Sequence, residues 1–288
     1  MTKHLTVGFD GSPESYGALR WAAEEAVMRS CALRIVQCYS VAVATDPLGG
    51  WIPTEAYAAA GRAAAADVEN ARDLVSSEHQ HLDVSTVVRA GSPADVLLES
   101  DDGDEELIVL GAGSHRGASA LLLGSTPRAV VRRAKCPVVV VRGLPARVRS
   151  TRVVVGVDGS DSSREAVLWA AGEADLHGVD LHLVHAWDYP YEVATAEQHQ
   201  ARDLTRVDAS CVLQDSVALA RDACRSTVVG EVVEGGPVAA LVGSVHEGDL
   251  LVLGSRGRGA LRASMFGSTV NGVLDEALTP VVVVRHGQ

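Results

Sequence analysis

The sequence predicts an α/β protein of two tandem domains, each built on a parallel sheet. Three observations carry that prediction. Strand-like apolar runs alternate with helix-periodic runs, a pattern that implies parallel strands joined by right-handed crossovers. The segment Thr6-Val7-Gly8-Phe9-Asp10-Gly11-Ser12 returns as Val154-Val155-Gly156-Val157-Asp158-Gly159-Ser160, an offset of 148 that also relates Trp21 to Trp169. Further on, Gly111 returns as Gly254 and Gly124 as Gly267, and Cys136-Pro137 with four valines returns as Thr279-Pro280 with four valines, now at an offset of 143. A repeat of this length means two whole domains rather than a solenoid, and 288 residues are enough for both. Glycine, proline and arginines interrupt the apolar pattern between Gly143 and Thr151, so the expected domains are 1–143 and 151–288, joined by a linker at 144–150.

In the first half, Leu5 to Phe9 reads as strand one. Ser12-Pro13-Glu14 then supplies an N-cap, a proline at the first helical position and a first-turn acid. The helix continues with Ala18, Leu19, Ala22, Ala23 and Ala26 on one stripe. Leu33 to Tyr39 is strand two, followed by a loop at Asp46 to Gly50 and a long alanine-rich helix from Thr54 to His81. Val84 to Arg89 is strand three, and Gly91-Ser92-Pro93 opens a short helix. The acidic run Asp101 to Glu106 reads as a solvated loop before strand four, Leu107 to Leu110; Pro137 to Arg142 is strand five. The second half repeats the order with strands at Arg152–Val157, Leu181–Trp187, Val228–Val233, Leu250–Leu253 and Pro280–Arg285, and a helix from Ser268 to Leu278.

A formal charge of −12 argues against a nucleic-acid partner, which needs a concentrated basic surface. No apolar run is long enough to cross a bilayer, and Met1-Thr-Lys-His leads directly into strand one, so neither a membrane partner nor a signal peptide is expected. Five cysteines make an odd count without a CxxC motif, which fits reduced thiols and a cytoplasmic location.

Two features of each half bear ligand chemistry. Asp10 and Asp158 close strand one on the carboxyl edge of the sheet, where open α/β folds bind ligands. Asp-Gly-Ser is also a common turn and helix cap, so the aspartate alone leaves both readings open. The second feature is the loop after strand four: Gly254-x-x-Gly257, nine residues, then Gly267-Ser268-Thr269 at the head of a helix. Such a loop exposes backbone N–H groups and leads into the positive end of a helix dipole, which suits a phosphate. It is not a P-loop, because no lysine follows the last glycine, and a dinucleotide GxGxxG belongs after strand one. A phosphate there would be held by N–H groups, hydroxyls and Arg256 or Arg258. His182 and His185, three apart on a strand, point to opposite faces and do not make a metal pair. His79, His81 and His115 lack a second ligand cluster, and Trp51, Trp187 and Tyr189 to Tyr191 read as packing residues.

These motifs resemble the universal stress protein family, over nearly the whole chain and twice. The resemblance is carried by the Val-Gly-x-Asp-Gly-Ser openings, Val252 to Gly259, Gly267-Ser268 and the Pro-Val-Val-Val-Val-Arg endings. It implies two Rossmann-like (adenine nucleotide alpha hydrolase-like) domains, each a five-stranded parallel sheet in the order 3-2-1-4-5 flanked by helices. The family's ATP-binding branch carries Gly-x2-Gly-x9-Gly-(Ser/Thr), which Gly254, Gly257, Gly267 and Ser268 match. By that resemblance an adenine lies near Gly156, Val157, Asp158 and Ala186, and phosphates lie over Gly254, Gly257, Gly267, Ser268 and Thr269. The matching positions of the first half are Gly8, Phe9, Asp10, Cys38, Gly111, Gly124, Ser125 and Thr126.

The first half departs at Ser114, which stands where the second glycine belongs. Were a left-handed backbone required there, a serine would cost roughly 1 kcal/mol, with Gly113 beside it able to absorb the strain. A weaker nucleotide site is therefore expected in the first half. The resemblance implies a nucleotide-dependent stress-response regulator that binds ATP, with Mg2+ carried on the phosphates. A slow ATPase or adenylate-handling enzyme and a nucleotide-independent interaction module are the alternatives. It also implies that the valine strands Val138–Val141 and Val281–Val284 pair the two halves, and that a homodimer and a regulatory protein partner exist.

Overall fold

The computed structural model describes residues 3–40, 54–99, 105–113, 123–143, 149–189, 195–257 and 267–285. The chain divides into two compact units, Met1–Leu144 and Pro145–Gln288. The first holds β1 (His4–Phe9), α1 (Pro13–Arg29), β2 (Ala32–Tyr39), α2 (Thr54–Glu78), β3 (Val84–Ala90), α3 (Pro93–Glu99), β4 (Glu105–Gly111), α4 (Ser125–Arg133) and β5 (Val138–Val141). The second holds β6 (Arg152–Gly156), α5 (Asp161–His177), β7 (Leu181–Trp187), α6 (Ala196–Ala223), β8 (Val228–Glu234), α7 (Pro237–Ser244), β9 (Asp249–Gly254), α8 (Ser268–Glu276) and β10 (Val281–Val284). Within the first unit the strands are parallel in the order β3-β2-β1-β4-β5. The second repeats this as β8-β7-β6-β9-β10. The α/β class and the 3-2-1-4-5 order thus hold in each unit.

The strands β1, β5, β6, β9 and β10 are buried on both faces, which is why they read as continuous apolar runs, whereas β3 and β8 are half-buried to exposed along most of their length. All four valines of β5 and all four of β10 are buried, as are Leu250, Leu251, Val252 and Leu253 in β9. Helix α1 lies close to its sheet because Ala18, Ala22 and Ala26 present almost no bulk on the buried face. Its start is set by Ser12, whose hydroxyl accepts from Ser15 N at 3.2 Å, with Pro13 in the first turn. Helix α5 copies this through Ser160 and Ser163 N, also at 3.2 Å. Each cap follows a glycine in the left-handed region, Gly11 at φ +76° and Gly159 at φ +77°, so the chain turns sharply between strand and helix. The far ends differ: α5 closes on Gly178 at φ +67°, while α1 closes on Ser30 at φ +53°, the same backbone with a side chain on it.

Several boundaries depart from expectation by one to three residues; α8, for example, ends at Glu276 rather than Leu278. Helix α2 stops at Glu78 rather than His81, before the turn at residues 80–81 that leads to β3. The acidic run is not all loop, because β4 already begins at Glu105. Glu106 meets Lys3 at 2.7 Å, so the acid at the strand start is matched by a cation beside β1, and that carboxylate raises the lysine pKa. The predicted loop at Asp46 to Gly50 and the first part of the acidic run lie outside the described residues. In each unit the strand order reverses direction at the first strand. Chain leaving the carboxyl ends of β1 and β4, or of β6 and β9, therefore goes to opposite sides and opens a crevice.

Candidate functional site

In the second unit that crevice is a cavity of about 610 Å3, within the roughly 300–1,000 Å3 span of small-molecule sites. Gly156, Val157 and Asp158 line it from the end of β6, and Ala186 from β7. Gly254, Arg256 and Gly257 line it from the loop after β9, and Gly267, Ser268 and Thr269 from the head of α8. The described residues predicted for this half therefore line one cavity, while Arg258 lies outside the described residues. Pro237 and Leu241 of α7 and Asn271 of α8 complete the wall; sequence reasoning passed over them. The apolar Pro237-Val-Ala-Ala-Leu241 run after a Gly-Gly pair was the available signal for the first two.

The glycines are there because the walls are close. A Cβ on Gly254 would sit 2.5 Å from Ser162 O, so β9 can pass the start of α5 only as glycine. A Cβ on Gly156 would lie 2.8 Å from Leu253 Cδ2 and 2.9 Å from Leu241 Cδ2. At Gly257 the sequence argument allowed for a left-handed backbone, and the structure gives another reason. Its φ is not in the left-handed range, but a Cβ would lie 2.6 Å from Asp158 Oδ2. Glycine at 257 thus lets the loop pass directly over the carboxylate.

Asp158 does what both readings of Asp-Gly-Ser require. Its Oδ1 accepts from Ser160 N at 3.0 Å and from Ser160 Oγ at 2.6 Å, which builds the turn into α5. The same side chain lines the cavity. Two serines not singled out from sequence tie the loop to that turn. Ser163 Oγ accepts from Asp158 N at 3.2 Å, and Ser162 Oγ accepts from Arg256 N at 3.3 Å. Helix α8 begins differently from α5: its N-cap is Gly267, with no side-chain hydrogen bond. The first-turn N–H groups at a helix start have no intrahelical partner, and with the dipole they favour an anion. Carboxylate acceptor, apolar wall and positive helix end meet in one cavity.

The first unit has the same crevice at about 210 Å3. Gly8, Phe9, Asp10, Cys38, Gly111, Gly124, Ser125 and Thr126 all line it. Asp10 Oδ1 accepts from Ser12 N at 3.0 Å, and a Cβ on Gly111 would lie 2.8 Å from Glu14 C, repeating the second unit. Helix α4 likewise starts on an uncapped glycine, Gly124, whose N–H donates to Ala112 O at 2.8 Å. Gly113, at the position of Arg256, has φ +109°, so the loop turns where the second unit carries a cation. Ser114 lies outside the described residues. Burial raises the Cys38 thiol pKa to about 11, so this cleft holds a neutral thiol rather than a thiolate.

The remaining candidates that are described do not line the clefts, and Trp51, His115 and Tyr191 lie outside the described residues. His182 meets Arg152 Nη1 at 3.5 Å, while His185 Nδ1 lies 2.6 Å from Val157 O, so the two histidines serve different neighbours. Trp187 packs under Arg202, 5.7 Å from ring centroid to guanidinium carbon, as a packing residue does. Neither cleft has a cluster of three metal-ligating side chains among the described residues. Among those residues no helix is long and apolar enough to cross a membrane.

Comparison with known proteins agrees with this geometry. The model of the Universal stress protein family matches residues 1–142 and 150–285. The universal stress protein Rv2005c of Mycobacterium tuberculosis is 35% identical over 297 residues, spanning 98% of this chain and 97% of the relative. A universal stress protein of Mycolicibacterium smegmatis is 32% identical over 294 residues, spanning 98% and 96%. Among solved structures, a universal stress protein from Archaeoglobus fulgidus shares the fold, with a TM-score of 0.68 at 18% identity over 99% of this chain and 97% of that one.

Proposed function

The chain belongs to the universal stress protein family, and from that premise we propose that it is a nucleotide-dependent stress-response regulator that binds ATP in the cleft of its second unit. One observation carries the reading. Asp158, the Gly254–Gly257 loop and the glycine-capped start of α8 converge on a cavity large enough for a nucleotide. Asp158 offers an acceptor for the nucleoside end, and Ser268, Thr269 and the first-turn N–H groups offer donors for phosphate. The Asp158 carboxylate and the Ser268 and Thr269 hydroxyls are among the hard oxygen ligands that suit Mg2+ held on nucleotide phosphates, where it would screen their charge.

A regulator fits better than a hydrolase. Hydrolysis wants a general base, and among the described lining residues the one carboxylate is Asp158, whose Oδ1 already accepts two hydrogen bonds from Ser160. Thermal unfolding with and without ATP tests the reading. At about a hundred times Kd, ATP should add roughly 2.7 kcal/mol, a rise of several degrees in Tm. An unchanged Tm at millimolar ATP would sink it. Steady phosphate release abolished by Asp158→Ala would move the assignment to an ATPase. A homodimer and a protein partner belong to the same reading, and sizing with and without ATP examines them.

A further inference from the structure

The two clefts share their plan but differ in size and in charge, and the differences coincide. Asp158 and Arg256 are the ionisable side chains among the described lining residues of the second cleft, a balanced pair. In the first cleft the corresponding pair is Asp10 and Gly113, which leaves the acid without that cation. The loop there cannot be repaired by a simple change, because Gly113 sits at φ +109°, a backbone that rejects side chains. The cavity also shrinks from about 610 to about 210 Å3, below the usual span for drug-sized ligands. Cys38, in place of Ala186, brings a larger side chain to its wall.

Arg256 is placed to act on a ligand. Its N–H donates to Ser162 Oγ at 3.3 Å and its carbonyl accepts from Ser160 Oγ at 3.4 Å, so its backbone is fastened to the start of α5. Each phosphate added to a nucleoside raises the negative charge that Arg256 can meet in the second cleft. Among the described lining residues of the first cleft no cation stands at the position of Arg256. We infer that Arg256 makes the second cleft selective for polyphosphorylated nucleosides, and that the first cleft, smaller and with Gly113 in place of that arginine, favours a nucleoside carrying fewer phosphates. The inference rests on the nucleotide reading of both clefts and adds a division of labour between them: one chain would register a charged and a discharged form of the same ligand.

The test uses the full chain, with calorimetric titration of ATP, ADP and AMP into wild type and Arg256→Gln. Occupancy of the first cleft is read separately, from the alkylation rate of Cys38 followed by peptide mass spectrometry. A lost charge-assisted contact to phosphate should cut the ATP-over-AMP preference of the second cleft about tenfold or more, with AMP affinity nearly unmoved. AMP should protect Cys38 at lower concentration than ATP does, equally in wild type and variant. Equal weakening of ATP and AMP in Arg256→Gln would overturn the role of Arg256. Protection of Cys38 by ATP at concentrations as low as AMP, or by neither while the second cleft binds, would overturn the assignment of the first cleft. Absence of any nucleotide heat would remove the parent reading itself, and the inference with it.

Discussion

Alanine at two glycines of one loop should have opposite consequences. At Gly254 the new Cβ would lie 2.5 Å from Ser162 O and 2.7 Å from Ser162 C, both backbone atoms at the start of α5. Neither can turn aside, so helix and strand must separate, at about 1–3 kcal/mol. For a unit of this size that is a fall in Tm of about 3 °C per kcal/mol. At Gly257 the clash is with Asp158 Oδ2, the end of a side chain, and φ is not left-handed. The carboxylate can swing away by giving up part of its bonding to Ser160, and alanine recovers about 0.4–1 kcal/mol through the unfolded chain. The apo Tm of Gly257→Ala should therefore stay within a few degrees of wild type. The swung carboxylate and the added methyl both enter the nucleotide cleft. If affinity falls about tenfold, ATP at a hundred times the wild-type Kd adds about 1.4 kcal/mol instead of 2.7, and the Tm increment halves. Differential scanning fluorimetry of both variants, with and without ATP, measures all four quantities. An apo Tm lowered as far in Gly257→Ala as in Gly254→Ala, or a full ATP increment in Gly257→Ala, would refute the steric account of the motif.

Three further outcomes follow from the scaffold. Ser30→Gly relieves the left-handed residue that ends α1, as Gly178 does at the end of α5, and should raise stability by about 1 kcal/mol in urea unfolding. Asp249 is 3% exposed and accepts from His246 N at 2.8 Å and Arg152 Nε at 3.1 Å. Asp249→Asn leaves the guanidinium without its counter-charge and should cost about 3 kcal/mol by the same assay. Burial, then the neighbouring Arg152, lowers the pKa of His182 in the folded state. The unfolded imidazole, with a pKa near 6.5, takes up its proton first. The stability His182 contributes is thus complete above about pH 6.5 and is lost as pH falls below that, so His182→Gln should flatten the decline in the urea midpoint between about pH 6.5 and 5.

Much of the fold was legible because its signals are local or repeated. Alternation of strand and helix runs gave the class, and serine caps with Pro13 gave the helix starts. The 3-2-1-4-5 order came from family resemblance, since nothing local tells which parallel strands are neighbours. The candidate site was legible as residue types on loops: Asp158, Gly254, Gly257 and Gly267 line one cavity although 109 positions of chain separate the first from the last. What stayed hidden depends on distance across the fold. Ser162 and Ser163 look like ordinary first-turn residues until Gly254 and Asp158 are seen against them. The same holds for Gly257, whose reason is the carboxylate beneath it rather than its own torsion. Glu105 and Glu106 read as loop because strand propensity penalises acids, and pairing with Lys3 overrides that penalty at the strand end.

The double duty of the aspartate bears on how unequal clefts persist in a duplicated chain. Asp10 and Asp158 each accept from the backbone N–H of the serine two residues on, so each is required by the turn into its helix whether or not a ligand is present. An aspartate at this position is consequently poor evidence for a working nucleotide site. On the proposed reading, discrimination falls instead on Gly257, which spares space above the carboxylate, and Arg256, which would supply charge. The first unit keeps its turn, its uncapped α4 and the close passage at Gly111, all of which serve the scaffold. It differs at Gly113, whose left-handed backbone Arg256 does not share, and in sequence at Ser114. On the proposed reading, divergence at those two positions changes what the cleft holds while each unit keeps its own parallel sheet, so duplicated units can drift apart in ligand preference.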